Sequence, residues 1–210
     1  MSRVIVILLG ICASAVGVAA QKPVLLVFGD SLSAGYGLSP GTGWVSLLSR
    51  RIDSEGYGFQ VVNASISGET TDGGLARLPR ALQVHKPTVV VLELAANDGL
   101  RALPTARTHA NLRAMVKLCK VAGARVLVLG VRLPPNYGMR YNAEFEKMYG
   151  DLARQERVSV VSWFMKDVAD RPEWMQQDGL HPNAQGQPGL LANVWPALVK
   201  LLGGRQAKAA

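Results

Sequence analysis

With 210 residues, 49% of them hydrophobic and only 18% charged, the chain has enough apolar material for one well-packed core, and its composition excludes a disordered or low-complexity protein. The formal charge of +8 comes from Lys and Arg scattered along the sequence and not interleaved with stacking aromatics. This pattern describes a solvated surface and argues against a nucleic-acid or anionic-membrane binder.

Residues 1–20 read as a signal peptide. Arg3 supplies a basic start, residues 4–18 an apolar run, and Val18-Ala19-Ala20 the small-residue cleavage pattern ahead of polar Gln21 and Lys22. The run is short for a membrane-spanning helix. Bulky Ile11 precedes Cys12 where a lipoprotein signal needs a small residue, so no lipid anchor is expected. Cleavage removes Arg3 and Cys12, which lowers the charge to +7 (22 basic minus 15 acidic) and leaves Cys119 as the only thiol. No intramolecular disulfide is then available, and Cys119 falls in an apolar helical pattern with Leu112, Met115 and Val116, a core position. A periplasmic or secreted protein is expected, with residues 21–210 forming one domain.

The mature chain opens with VLLVFG (residues 24–29), a buried-strand pattern stopped by Gly29 and followed at once by Asp30 and Ser31. Residues 42–51 carry a helical apolar face (Trp44, Val45, Leu47, Leu48) with Thr42 as the expected cap. Residues 59–66 read as a strand running into Ser67-Gly68-Glu69-Thr70, and Thr70 or Thr71 can cap a helix with Leu75, Leu78, Ala81 and Leu82 on its apolar face. Residues 88–94 form a central strand that leads into Asn97-Asp98. A helix opened by Thr105 or Thr108 follows, then a strand at 125–130, the loop around Leu133-Pro134-Pro135, a helix over about 140–155 and a short strand at 158–161. Asp178-Gly179-Leu180-His181 precedes a final helix over about 189–202. Five near-continuous apolar strands alternating with helices predict an α/β domain with a five-stranded parallel sheet covered on both faces.

The polar residues that remain collect after strands. In an open α/β sheet ligands bind beyond the carboxyl ends of the strands, and Ser31, Gly68, Asn97 and the Asp178/His181 pair all fall on that edge. A serine hydroxyl needs a neighbouring base to become a nucleophile. The imidazole of His181 can serve as that base, and Asp178, three residues earlier, can reach its far ring nitrogen. The Ser31 N–H, the Gly68 N–H (open to close approach without a Cβ) and the Asn97 amide are candidate oxyanion donors. His85 and His109 fall on polar helical positions without such partners and are expected at the surface. Asp178 and His181 lack third and fourth ligands for a metal, and the glycines around Ser31 lack the Lys of a phosphate loop.

The chain resembles the SGNH (GDSL) hydrolases, and within them the bacterial periplasmic multifunctional thioesterase/arylesterase/lysophospholipase group. The resemblance is carried by Gly29-Asp30-Ser31-Leu32-Ser33, by residues 63–70 (NASISGET), by Asn97-Asp98-Gly99-Leu100-Arg101 and by Asp178-Gly179-Leu180-His181-Pro182-Asn183. It implies a three-layer α/β/α flavodoxin-like fold, Ser31 as nucleophile, Asp178 and His181 as its triad partners, and an oxyanion hole of Ser31, Gly68 and Asn97. It also implies hydrolysis of carboxylic esters and acyl thioesters without metal or cofactor, and a loop at Leu133-Pro134 that covers the acyl chain. A monomer acting on a small-molecule ester or thioester is expected, with no nucleic-acid partner and no stable membrane anchor. A carbohydrate deacetylase and a non-catalytic acyl- or lipid-binding protein are the alternatives on the same fold. One position departs from the family pattern: Ala95 stands where the third block has glycine, which matters where that backbone takes a positive φ.

Overall fold

A computed structural model describes residues 21–204, so the signal-peptide reading of residues 1–20 lies outside the described residues. Five strands, β1 (Val24–Gly29), β2 (Gln60–Asn63), β3 (Val89–Glu93), β4 (Arg125–Leu129) and β5 (Ser159–Val161), form one parallel sheet in the order β2-β1-β3-β4-β5. The central strands β1 and β3 are apolar because both faces are covered: Leu25, Leu26, Val27 and Phe28 pair with Val89, Val90, Val91 and Leu92, and all eight are fully buried.

Helices α2 (Trp44–Ser54) and α7 (Gln187–Leu202) pack together on one face. On the other lie α3 (Thr71–His85), α5 (Thr105–Val121) and α6 (Met139–Glu156), with α5 between its two neighbours. This is the three-layer flavodoxin-like arrangement expected. Strand order reverses between β1 and β3, and such a switch point opens a crevice at the carboxyl edge of the sheet.

Two short helices, α1 (Ser31–Ala34) and α4 (Ala96–Leu100), are too brief to show in hydrophobic periodicity; they follow β1 and β3 directly, inside that crevice. The second strand ends at Asn63, earlier than expected, because the chain turns to run beside the end of β1. The N–H groups of Ala64 and Ile66 bond to Val27 O and Gly29 O at 2.8 and 3.0 Å. Thr70 caps α3, accepting from the Gly73 N–H. Thr42 does not cap α2: its hydroxyl turns back to Ser39 O at 2.7 Å, and Gly43 occupies the cap position. Cys119 is buried in the core, where burial pushes its thiol up to about 12.

Truncating a fully buried β4 side chain distant from the crevice, Leu127→Ala, is expected to cost about 2–5 kcal/mol, whereas Val84→Ala on the exposed side of α3 changes stability by about 0.5 kcal/mol or less. Urea denaturation of the two variants checks this; equal losses would contradict the assignment of the core.

Candidate active site

The strand-end turn after β1 is built by one side chain. Asp30 caps α1, its Oδ1 accepting the Leu32 N–H at 3.1 Å, and Gly35 closes the helix at φ 81°. The turn leaves Ser31 half-buried with its Oγ 2.8 Å from His181 Nε2. His181 Nδ1 in turn lies 2.6 Å from Asp178 Oδ2. Asp178 and His181 meet because the chain makes a tight loop between them: Gly179 sits at φ 66°, and Asp178 Oδ1 accepts the N–H groups of Leu180 and His181 at 2.9 and 3.0 Å. Burial acts to raise the Asp178 carboxyl, but the bonds from His181 and Leu180 outweigh it and hold the carboxyl below its usual range. The loop is itself anchored. Gln176 N–H bonds to His181 O at 2.8 Å, and Gln176 Nε2 reaches Tyr36 O at 2.9 Å beyond α1. The Tyr36 ring lies 4.8 Å from the imidazole.

Asn97 enters from α4 on the neighbouring strand. Its Nδ2 donates to Asp30 Oδ2 at 3.1 Å and to Glu69 O at 3.0 Å. Gly68, at φ 80°, is held beside it, because Arg101 at the end of α4 donates to Gly68 O at 3.1 Å. A Cβ at 68 would meet no protein atom within 4 Å, so within the fold it is the positive φ that calls for glycine. Arg77 secures the same loop from α3, bonding Glu69 Oε2 and Ala64 O at 2.9 and 2.8 Å while lying over the Phe28 ring.

The catalytic candidates open onto a groove of about 560 Å³ that Ser31, Asn97 and His181 share with Leu100, Leu133, Pro134, Trp163 and Leu180. Leu133 and Pro134 thus stand where a wall for an acyl chain was expected. Among the described residues, no three His, Cys, Asp or Glu side chains gather as a metal site requires. No described helix is long and apolar enough to cross a membrane. His109 is half-buried, not at the surface as expected; desolvation and the nearby Arg113 lower its basicity.

Three residues support the site in ways that the residue pattern does not show. Glu93 is fully buried beneath Asp30, its Oε2 accepting from Ser33 Oγ at 2.7 Å and from the Asp30 N–H at 3.4 Å. Its only sequence signal is a lone carboxylate in the apolar run VVVLEL. Asp98 is buried and takes bonds from the Thr71 N–H at 2.8 Å and from the Thr71 and Thr108 hydroxyls, so it joins α4 to α3 and α5. Arg101 was noted only as part of a block.

Burial pushes the Asp30 carboxyl up to about 6, partly offset by the bonds to Leu32 and Asn97 and by the field of His181. Burial and the Asp30 charge push Glu93 well up too, since two neighbouring buried carboxyls resist ionising together.

A parallel-sheet protein with a serine–histidine–aspartate array at its switch point falls in the class of α/β hydrolytic enzymes. The GDSL-like Lipase/Acylhydrolase family model matches residues 27–187, and the chain belongs to that family, the SGNH hydrolases. It is 50% identical over 183 residues to Esterase TesA of Pseudomonas aeruginosa, covering 87% of this chain and 91% of that protein. It is 46% identical over 170 residues to Thioesterase 1/protease 1/lysophospholipase L1 of Escherichia coli K12, covering 81% of this chain and 80% of that one. The crystal structure of the psychrotrophic esterase EstA from Pseudoalteromonas sp., inhibited by monoethylphosphonate, superposes with a TM-score of 0.82 at 39% identity, covering 87% of this chain and all of that one.

Asp30 yields a pH prediction. Its folded value lies above the ordinary 3.8, so folding favours the protonated form; that stabilisation is complete below about pH 4 and is lost as the pH climbs through about 6. Asp30→Asn cannot ionise, so thermal melts from about pH 4 to about 7 should show the variant gaining on the wild type as the pH rises. A gap that stays constant across the series would contradict the raised value.

Proposed function

We propose that the chain is a serine hydrolase of carboxylic esters and acyl thioesters that works through an acyl-enzyme. The observation that carries this reading is the continuous contact from Ser31 Oγ through the His181 ring to Asp178, at 2.8 and 2.6 Å, at the mouth of a groove lined largely by apolar side chains. In this reading His181 Nε2 takes the Ser31 proton as Oγ attacks the acyl carbonyl, and Asp178 holds the ring's tautomer and stabilises the imidazolium. The oxyanion meets the Ser31 and Gly68 N–H groups and the Asn97 amide. One Nδ2 hydrogen of Asn97, now given to the neutral Glu69 carbonyl, turns to the developing negative charge. The imidazolium protonates the departing alkoxide or thiolate. Water, deprotonated by the same ring, then frees the carboxylic acid and restores Ser31.

Names of relatives support both leaving groups: TesA of Pseudomonas aeruginosa is an esterase and the Escherichia coli relative a thioesterase and lysophospholipase. The leading 20 residues support export to the periplasm or beyond. The groove favours an acyl chain over a sugar, which argues against a carbohydrate deacetylase. Nor does a silent binding protein need Ser31 and His181 in hydrogen-bond contact.

On chromogenic esters, kcat/KM should rise from acetyl to octanoyl by up to about fourfold per methylene, the equivalent of about 0.8 kcal/mol per CH₂ buried. Acetyl esters turned over as fast as octanoyl ones would favour the deacetylase. Asn97→Ala should lower kcat about 100- to 1000-fold with the fold intact by circular dichroism. Wild-type turnover in that variant would remove Asn97 from the oxyanion hole.

A further inference from the structure

The segment that carries Asn97 starts from a backbone conformation that side chains disfavour. Ala95, between β3 and α4, is fully buried at φ 101° and ψ −10°. This lies beyond the left-handed helical region near φ of about 50–70° that non-glycine residues visit; glycine takes such angles freely, and alanine holds them only when its surroundings leave no choice.

The surroundings here are over-determined on both sides. Upstream, Glu93 is paired to Gly29 in the sheet, and its carbonyl accepts the Asp30 N–H at 3.1 Å. Downstream, the Ala95 carbonyl accepts the Gly99 N–H at 3.0 Å. Asn97 is tied to Asp30 and Glu69, and Asp98 to Thr71 and Thr108. The far end of the same helix offers a contrast. Ala102 also has a positive φ, but at 51° it lies in the ordinary left-handed region, and it is exposed.

We propose that Ala95 is a positioning residue: its methyl group confines the turn ahead of α4 and so holds the Asn97 amide in its oxyanion-binding pose. With glycine at 95 the stretch from 94 to 96 gains backbone states of either sign of φ, and Asn97 gains freedom with it. Alanine, pinned by the bonds on each side, has a single narrow well. The strain lowers stability, and the narrow well sharpens placement of the donor that the transition state needs. This proposal rests on Asn97 being an oxyanion donor.

The test compares wild type with Ala95→Gly, Ala102→Gly, Asn97→Ala and the Ala95→Gly/Asn97→Ala double variant, by Tm and by kcat and KM on one chromogenic ester. Ala95→Gly should raise Tm by about 2–4 °C as strain is released. It should also lower kcat about three- to tenfold at unchanged KM, a fraction of the roughly hundredfold loss from deleting a donor. In the Asn97→Ala background it should lower kcat no further, because its effect passes through Asn97. Ala102→Gly should turn over as the wild type does. A wild-type kcat in Ala95→Gly, an equal fold-loss in both backgrounds, or a Tm at or below wild type would overturn the proposal. A large loss in Asn97→Ala beside an inert Ala95→Gly would overturn this inference alone. Wild-type turnover in Asn97→Ala would overturn both this inference and the oxyanion assignment.

Discussion

The Asp30 carboxyl is the joint on which the site is built. One oxygen receives the Leu32 N–H and shapes the turn that presents Ser31 to the groove; the other receives the Asn97 amide from the neighbouring strand. A single buried side chain therefore ties the candidate nucleophile's turn to the candidate oxyanion donor Asn97. It can do so because β1 and β3 are parallel neighbours in register, with Gly29 opposite Glu93, so both strands end at the same height. Gly29 has no room for a side chain: a Cβ there would come within 2.7 Å of the Glu93 carbonyl and carboxyl oxygens. The glycine of the GDS motif is in this sense a sheet-packing residue.

That joint is electrostatically costly. Asp30 and Glu93 are buried together with no Lys or Arg ion pair among the described residues, and burial raises both carboxyls. The surrounding donors (Ser33, Leu32, Asn97 and the Asp30 N–H) offset only part of the desolvation. Local stability is thereby traded for placement of the candidate catalytic groups, and the positive φ at buried Ala95 lies in the same crevice.

Much of this was legible in the residue pattern. Apolar strand runs such as VLLVFG and VVVLEL mark a sheet buried on both faces, and polar residues after the first, second, third and last strands mark its candidate active edge. Asp178 and His181 could be paired from spacing alone, since three residues of a tight turn bring carboxylate and imidazole together. The supporting contacts were not legible. Glu93 meets Ser33 across 60 positions, and Asp98 meets Thr71 across 27, through pairings that only the assembled layers create. Helices α1 and α4 are too short for any periodicity to register. Ala95 was visible as a departure from the family's glycine, but the sign and size of its φ depend on the turn between β3 and α4.

The central claim is that Ser31 Oγ is the atom that attacks the acyl carbonyl. It is tested most directly by treating the protein with a reactive monoalkyl phosphonate ester and locating the adduct by intact-protein and peptide mass spectrometry. One phosphonyl group per chain, confined to the peptide containing Ser31 and absent from Ser31→Ala, is the expected result. Modification at another residue, or equal labelling of Ser31→Ala, would contradict it.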